Sequence, residues 1–324
     1  MNIGIIGAGR IAVKMAHTLN KMSSATAYAI ASRSLEKAEA FAKEHHVIKA
    51  YGSYEQMVSD PDVHLVYVAT PHSHHFDQVK LALEHGKPVL CEKAFTLNAT
   101  QAKALIEISH KKNVLLAEAI WPKYLPIRTM LDEVIDSGII GEVTSVTANL
   151  GFYLLDKERV TNPLLAGGAL LDLGVYAINF ALMAIKSDIK NIESSATFLD
   201  TGVDAQNSAI VTFEDDKVAL LHSTQLAYTD KRGMLFGSKG YLELVDVTNP
   251  QSIKVFDKNY QLVKELARPE QITGFEYQVQ ACIDAINAGE IECKAHPHSE
   301  ILRVMNIMDE MRRQWGMHYP MECN

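Results

Sequence analysis

Basic charge is in short supply: 31 Lys and Arg against 39 Asp and Glu leave a net charge of −8. A surface built to hold nucleic acid is therefore not expected. No apolar run reads as long enough to span a bilayer, so no membrane partner is expected either. Cysteine is sparse. Cys91, Cys282, Cys293 and Cys323 are scattered and form no C-x-x-C. That argues against a disulfide framework and structural zinc, and predicts a reduced, cytoplasmic protein. A buried strand is expected from the third residue, which leaves no stretch to act as a signal peptide. Internal repeats and low-complexity segments are also missing. With 48% hydrophobic and 22% charged residues over 324 positions, the chain can fill two domains with sizeable cores.

The first dozen residues carry the sharpest signal. An apolar run at 3–6 leads directly into Gly7-Ala8-Gly9-Arg10-Ile11-Ala12, a G-x-G-x-x-A, and an amphipathic, proline-free run follows to 22. Strand, tight glycine turn and helix, in that order, are what a dinucleotide fold requires. Gly7 permits the turn, Gly9 lets the backbone approach a pyrophosphate, and the small Ala12 lets the helix pack close. Free amides at the helix start, from Ala8 to Ile11, then face the phosphates.

Helical and strand patterns alternate up to about residue 120. Strands are expected at 3–6, 25–31, 65–69, 88–91 and 114–117, with helices at 11–22, 35–44, 54–59, 76–85 and 98–111. Continuous apolar strands between helices imply a parallel sheet covered on both faces. After Trp121-Pro122 the pattern changes. A helix at 126–136 precedes strands at 143–152, 192–199, 208–213, 218–225, 233–236 and 241–245, read as an antiparallel meander. A long helix at 168–185 interrupts them, and helices at 272–288 and 298–315 close the chain. The fold class is thus α/β: a Rossmann doubly wound parallel sheet over 1–120, then an α+β domain over 121–324 with a large, mostly antiparallel open sheet. The second domain is expected to bind substrate and form oligomers, with the 298–315 helix packing back on the first and the substrate held between the two.

A NAD site usually places an acid at the end of the second strand to hold the ribose hydroxyls. Here the strand ends Ala31-Ser32-Arg33-Ser34, and no acid occurs before Glu36. Ser32 can donate to a 2′-phosphate, and Arg33 can pair with it and stack on adenine. NADP is therefore the expected cofactor, with NAD as the second choice.

The third strand runs into Thr70-Pro71-His72-Ser73-His74-His75. Three histidines invite a metal reading, but no acid or cysteine accompanies them, and a loop after a parallel strand more often lines the cofactor. Thr70, Pro71, His72 and His75 are expected there, and no metal. The next strand ends Cys91-Glu92-Lys93, which would set Lys93 at the sheet edge beside the nicotinamide. Asp172 and Tyr176 lie four residues apart on a nearly all-apolar helix, hence on one face. A buried Asp needs a partner, and Lys93 is a candidate. Tyr153 and Lys157 form a Y-x-x-x-K, but Tyr153 follows a strand, so the match is read as chance.

Together these residues resemble the glucose–fructose oxidoreductase/inositol dehydrogenase (Gfo/Idh/MocA) family along nearly the whole chain. The shared stretches are the glycine turn, Thr70-Pro71 with His75, Gly86-Lys87-Pro88-Val89 leading to Glu92-Lys93, Glu118-Ala119-x-Trp121, and Asn162-Pro163 leading to Gly167-Gly168-Ala169-Leu170-Leu171-Asp172-x-Gly174-x-Tyr176. The last is most similar to the branch of dimeric dihydrodiol dehydrogenases and NADP-dependent xylose dehydrogenases, where a Tyr replaces the His of inositol dehydrogenases. The resemblance implies catalysis by Lys93 and Tyr176 with Asp172 in support. It implies cofactor contacts from Gly7, Ala8, Gly9, Arg10, Ile11, Ser32, Arg33, Ser34, Glu92, Lys93 and Trp121. It further implies a substrate site at Lys93, Trp121, Phe152, Arg159, Asp172 and Tyr176, and subunits paired through the open sheet as a dimer or tetramer. The expected activity is hydride transfer at a carbinol or carbonyl carbon of a sugar, polyol or diol. A catalytically silent dinucleotide-binding regulator on the same fold is the alternative. Two departures stand out. The family's Glu-Lys-Pro reads Glu92-Lys93-Ala94, which predicts a different or looser placement of Lys93, and its W-x-R reads Trp121-Pro122-Lys123.

Overall fold

The computed structural model describes residues 1–322, so Cys323 lies outside the described residues. The chain divides into two compact units. One comprises Met1–Tyr124 and Gln271–Met305, the other Leu125–Glu270 and Asn306–Asn324.

The first unit is built on strands β1 (Asn2–Ile6), β2 (Thr26–Ala31), β3 (Lys49–Tyr51), β4 (Leu65–Val68), β5 (Val89–Glu92) and β6 (Leu116–Ala119). They form one parallel sheet in the order β3-β2-β1-β4-β5-β6. This is the doubly wound order, and its direction reverses between β1 and β4, where such folds bind ligands. β4 and β5 are buried at every position, as expected for apolar strands covered on both faces. Helices Leu35–His45 and Ala99–Lys112 begin at capping side chains. Ser34 accepts from the Lys37 N–H at 3.3 Å and Asn98 from the Gln101 N–H at 2.9 Å.

Residues beyond 290 close the β6 edge of this sheet. The Leu116 N–H donates to the Ile291 carbonyl at 2.9 Å, and His298 Nε2 lies 2.9 Å from the Leu116 carbonyl. His296 Nε2 lies 2.8 Å from Glu118 Oε2, with both side chains fully buried. Burial pushes the His296 pKa down despite that carboxylate.

The second unit contains β7 (Val143–Gly151), β8 (Ile189–Phe198), β9 (Asp204–Phe213), β10 (Val218–Thr224), β11 (Gly233–Gly237), β12 (Gly240–Leu244), β13 (Ser252–Asp257) and β14 (Leu262–Ala267). Their order is β14-β13-β12-β11-β7-β10-β9-β8. The sheet is not a pure meander: β7 and β10 pair in parallel and the other neighbours are antiparallel. One face is covered by an apolar helix that opens with a π turn, Leu170–Gly174, and continues as an α-helix, Val175–Ala184. Against expectation, Pro163–Ala184 is long and apolar enough to cross a membrane. Since 83% of its most apolar window is buried inside the protein, it serves as the core helix of this unit.

Candidate active site

All six strands of the first sheet run the same way, so their carboxyl ends share one edge. The residues that leave that edge are Gly7 after β1, Ser32 after β2, Thr70 after β4, Lys93 after β5 and Trp121 after β6. Gly7 has φ +97°, and a Cβ there would collide with Thr70 and the Ala69 carbonyl. Beside Gly9, nothing lies within 4 Å of where a Cβ would be. Ala8, Gly9 and Arg10 are exposed and Ile11 half-buried, at the start of helix Arg10–Leu19. A bare backbone, open space and free helical amides suit a pyrophosphate. Along the same edge, Arg33 is exposed and Ser32 and Ser34 half-buried, with the Ser34 N–H 3.4 Å from Ser32 Oγ. No acidic side chain stands in this turn, which suits a 2′-phosphate.

Thr70 donates its hydroxyl to Gln78 Oε1 at 2.5 Å, and Pro71 leads into the short turn His72–His74. The histidines hold the loop together. His75 is fully buried, with Nε2 2.9 Å from the Thr70 carbonyl and Nδ1 2.9 Å from the Ala94 carbonyl. It thus ties the loop after β4 to the loop after β5. Burial pushes its pKa down. The buried His72 ring meets it edge-on at 5.7 Å. No group of His, Cys, Asp and Glu fit to hold a metal occurs among the described residues.

Glu92 ends β5. Its carboxylate accepts from the Tyr67 hydroxyl, and burial pushes its pKa up to about 7 against the pull of Tyr67, Lys93 and Lys14. The Lys93–Ala94 peptide bond is cis, although residue 94 is alanine. Trp121 is buried, packed at 5.0 Å on Phe275. The Lys14 ammonium lies 4.2 Å from the Trp121 ring and 4.0 Å from that of Phe275, and burial lowers its pKa. Lys123, in place of the family's Arg, is buried 3.5 Å from Glu300. The sequence reading missed Lys14 and Tyr67: one looks like a solvated helix lysine and the other like a core aromatic.

In the second unit, Asp172 lies in the π turn and is buried. Arg159 Nη1 lies 2.8 Å from its Oδ1. The sequence reading expects Arg159 as a substrate contact, and the structure sets its guanidinium on Asp172. Arg159 also faces Tyr176, and these two acidic groups raise its pKa although burial opposes them. Tyr176 is half-buried one turn later, and π turns recur at functional sites. Phe152 is half-buried, 5.7 Å from the Lys231 ammonium. Tyr153 is exposed, and Lys157 pairs with Asp156 at 2.6 Å on a loop.

These features define an oxidoreductase with a dinucleotide-binding sheet and a separate α+β unit. Residues 1–119 match the model "Oxidoreductase family, NAD-binding Rossmann fold", and residues 129–243 match "GFO/IDH/MocA C-terminal domain". The chain is 33% identical to a trans-1,2-dihydrobenzene-1,2-diol dehydrogenase of Xenopus tropicalis, over 98% of each chain. It is 34% identical to a D-xylose 1-dehydrogenase (NADP(+)) of Hypocrea jecorina, over 84% of this chain and 78% of that one. Among solved structures it is similar to KijD10, a 3-ketoreductase from Actinomadura kijaniata with NADP and TDP-benzene. The TM-score is 0.86 at 26% identity, over 97% of both chains. The chain belongs to the Gfo/Idh/MocA family of oxidoreductases, which sets aside the silent regulator.

Glu92 supplies a test of this geometry. A carboxyl raised from 4.5 to about 7 in the folded state contributes stability that is full below pH 4.5 and is lost as pH rises through 7. The shift corresponds to about 3 kcal/mol. Glu92→Gln removes that dependence. Its unfolding free energy, measured by urea titration between pH 4.5 and 7.5, should hold steadier than that of the wild type.

Proposed function

We propose that the chain is an NADP-dependent dehydrogenase of a sugar, polyol or diol, oxidising a CH–OH group or running the reverse reduction. The observation that carries the cofactor choice is the acid-free, basic turn Ser32-Arg33-Ser34 on the same sheet edge as the open glycine loop. The substrate class follows from the relatives, whose names give a diol and D-xylose as substrates.

In this reading the bound nicotinamide supplies the hydride acceptor. Gly7, Ala8, Gly9, Arg10 and Ile11 hold the pyrophosphate. Ser32, Arg33 and Ser34 hold the 2′-phosphate. Thr70, Pro71, His72, Glu92, Lys93 and Trp121 line the rest, and the fully buried His75 braces that loop from behind instead of touching the cofactor. Tyr176 takes the substrate hydroxyl proton. A free Tyr has a pKa of about 10, so it needs nearby cations. Arg159, which already faces Tyr176, is one, and Lys93 is the one that the family resemblance implies. Asp172, held by Arg159, orients the sugar or diol hydroxyls together with Trp121 and Phe152.

We further propose a cytoplasmic homo-oligomer paired through the uncovered face of the second sheet. The few, scattered cysteines, of which Cys91, Cys282 and Cys293 are buried, suit a reducing compartment. On the sheet face, Ile210 and Leu220 sit directly opposite each other on β9 and β10, each nearly half exposed, in the lining of a hollow of about 570 Å³. A paired apolar patch of this kind is what an interface covers.

Cofactor affinity is the first check: NADP should bind at least tenfold tighter than NAD, about 1.4 kcal/mol, with Arg33→Asp reversing the order. Equal dissociation constants for the wild type would remove the 2′-phosphate site. Turnover is the second, followed by the absorbance of reduced cofactor in a screen of aldoses, inositols and diols. Lys93→Met and Tyr176→Phe should each lower it by about 100-fold or more with little change in cofactor affinity. The double variant should be scarcely worse. Near-normal turnover in Tyr176→Phe would take the base role away from it. For assembly, Ile210→Arg should shift the sedimenting species toward monomer. An unchanged oligomer would place the interface elsewhere.

A further inference from the structure

Between the short helix Glu158–Thr161 and the core helix, the chain makes a turn that ordinary side chains would block. Gly168 has φ +122°, and a Cβ there would collide with the Asp204 carboxylate. A Cβ on Gly167 would run into the Val160 carbonyl. The glycine pair is therefore where it is because two other groups fill the space.

Asp204, the first residue of β9, is fully buried. Its Oδ2 accepts from the Leu170 N–H at 2.7 Å and from Asn207 Nδ2 at 2.8 Å. Its Oδ1 has no hydrogen-bond partner among the described residues. Leu170 opens the π turn, so Asp204 satisfies an amide that the helix start leaves over. From the other side, the Tyr319 hydroxyl donates to the Gly167 carbonyl at 2.7 Å. Tyr319 is held in turn: its N–H donates to Glu322 Oε2 at 2.9 Å, and Glu322 takes both Nη atoms of Arg312, at 2.7 and 3.0 Å.

We propose that Asp204 is a positioning residue for the oxidoreductase reaction: with Tyr319 it clamps the turn at Gly167-Gly168 and so sets the direction in which the core helix presents Asp172 and Tyr176. This rests on the reading that those two residues work on substrate. Asp172 lies two residues past the clamped Leu170 amide and Tyr176 six, so a small rotation of the first turn displaces both. Displacements near 1 Å are enough to lower turnover by about two orders of magnitude. Both hydrogen bonds arrive at a single oxygen, so the clamp needs an acceptor rather than a charge. Burial pushes the Asp204 carboxyl up to about 7, and protonation at the other oxygen leaves the two bonds in place.

The experiment compares Asp204→Ala, Asp204→Asn, Tyr319→Phe and Tyr176→Phe on the substrate found by the screen. It reads kcat per folded protein, KM, the NADP dissociation constant and the thermal midpoint. Asp204→Ala should lower kcat at least tenfold, with KM and NADP affinity within threefold. Asp204→Asn, whose amide oxygen can accept both bonds, should restore kcat to within threefold of wild type. Tyr319→Phe should lower kcat about threefold. A merely structural role would lower the midpoint and leave kcat per folded protein unchanged, and that result overturns the inference. If Asp204→Ala does not fold, Tyr319→Phe decides, and wild-type kcat there overturns the proposal. Tyr176→Phe separates the two readings. If it loses turnover while Asp204→Ala does not, only the clamp falls. If it keeps turnover, the catalytic reading falls first and the clamp with it.

Discussion

Six strands running in one direction leave all their carboxyl ends on one edge, and the assignments in the first unit depend on that constraint. Residues separated by almost the whole unit, from Gly7 to Trp121, become neighbours along a line because each follows a strand of the same sheet. The glycine loop supplies amides and open space, the turn after β2 supplies a cation and hydroxyls, and β5 delivers Lys93. None of this needs long-range side-chain bonds. It needs register, which the fully buried strands β4 and β5 keep by having nowhere else to put their apolar side chains.

The second unit solves a different problem. Its working side chains sit on a helix that is apolar on nearly every side, so each polar group there must bring its own partner. Asp172 has Arg159, and the Leu170 amide has Asp204. The partners come from a short helix and a strand start, thirteen and thirty-four residues away in sequence.

The difference between the units decides what could be read from the sequence. The Rossmann alternation and the glycine loop are local patterns and were legible to within three residues. So were helices Pro126–Asp136 and His298–Trp315, whose apolar periodicity is strong. β3 was missed because three residues carry no period, and β14 because it is exposed at nearly every position. β13 did alternate, with Ile253 and Val255 inward, and could have been found. The parallel pairing of β7 with β10 was invisible, since strand direction is set by connections and not by composition. In the candidate site, residue types were legible and several of the partners were not. Arg159 beside Asp172, Lys14 over Trp121 and Tyr67 on Glu92 are all distant in sequence, and distance erases any spacing signal.

The seal on β6 has a consequence for the order of events during synthesis. The ribosome delivers the glycine loop and all six parallel strands within the first 119 residues, yet that sheet is not finished then. The outer edge of β6 waits for Ile291, and Glu118 waits in an apolar setting for His296. An unpaired edge strand is a template for pairing with other chains. The nascent first unit therefore carries an open edge while the whole eight-stranded sheet is being made, and closes it only with the last tenth of the chain. Until Ile291 arrives, that edge is open to misassembly.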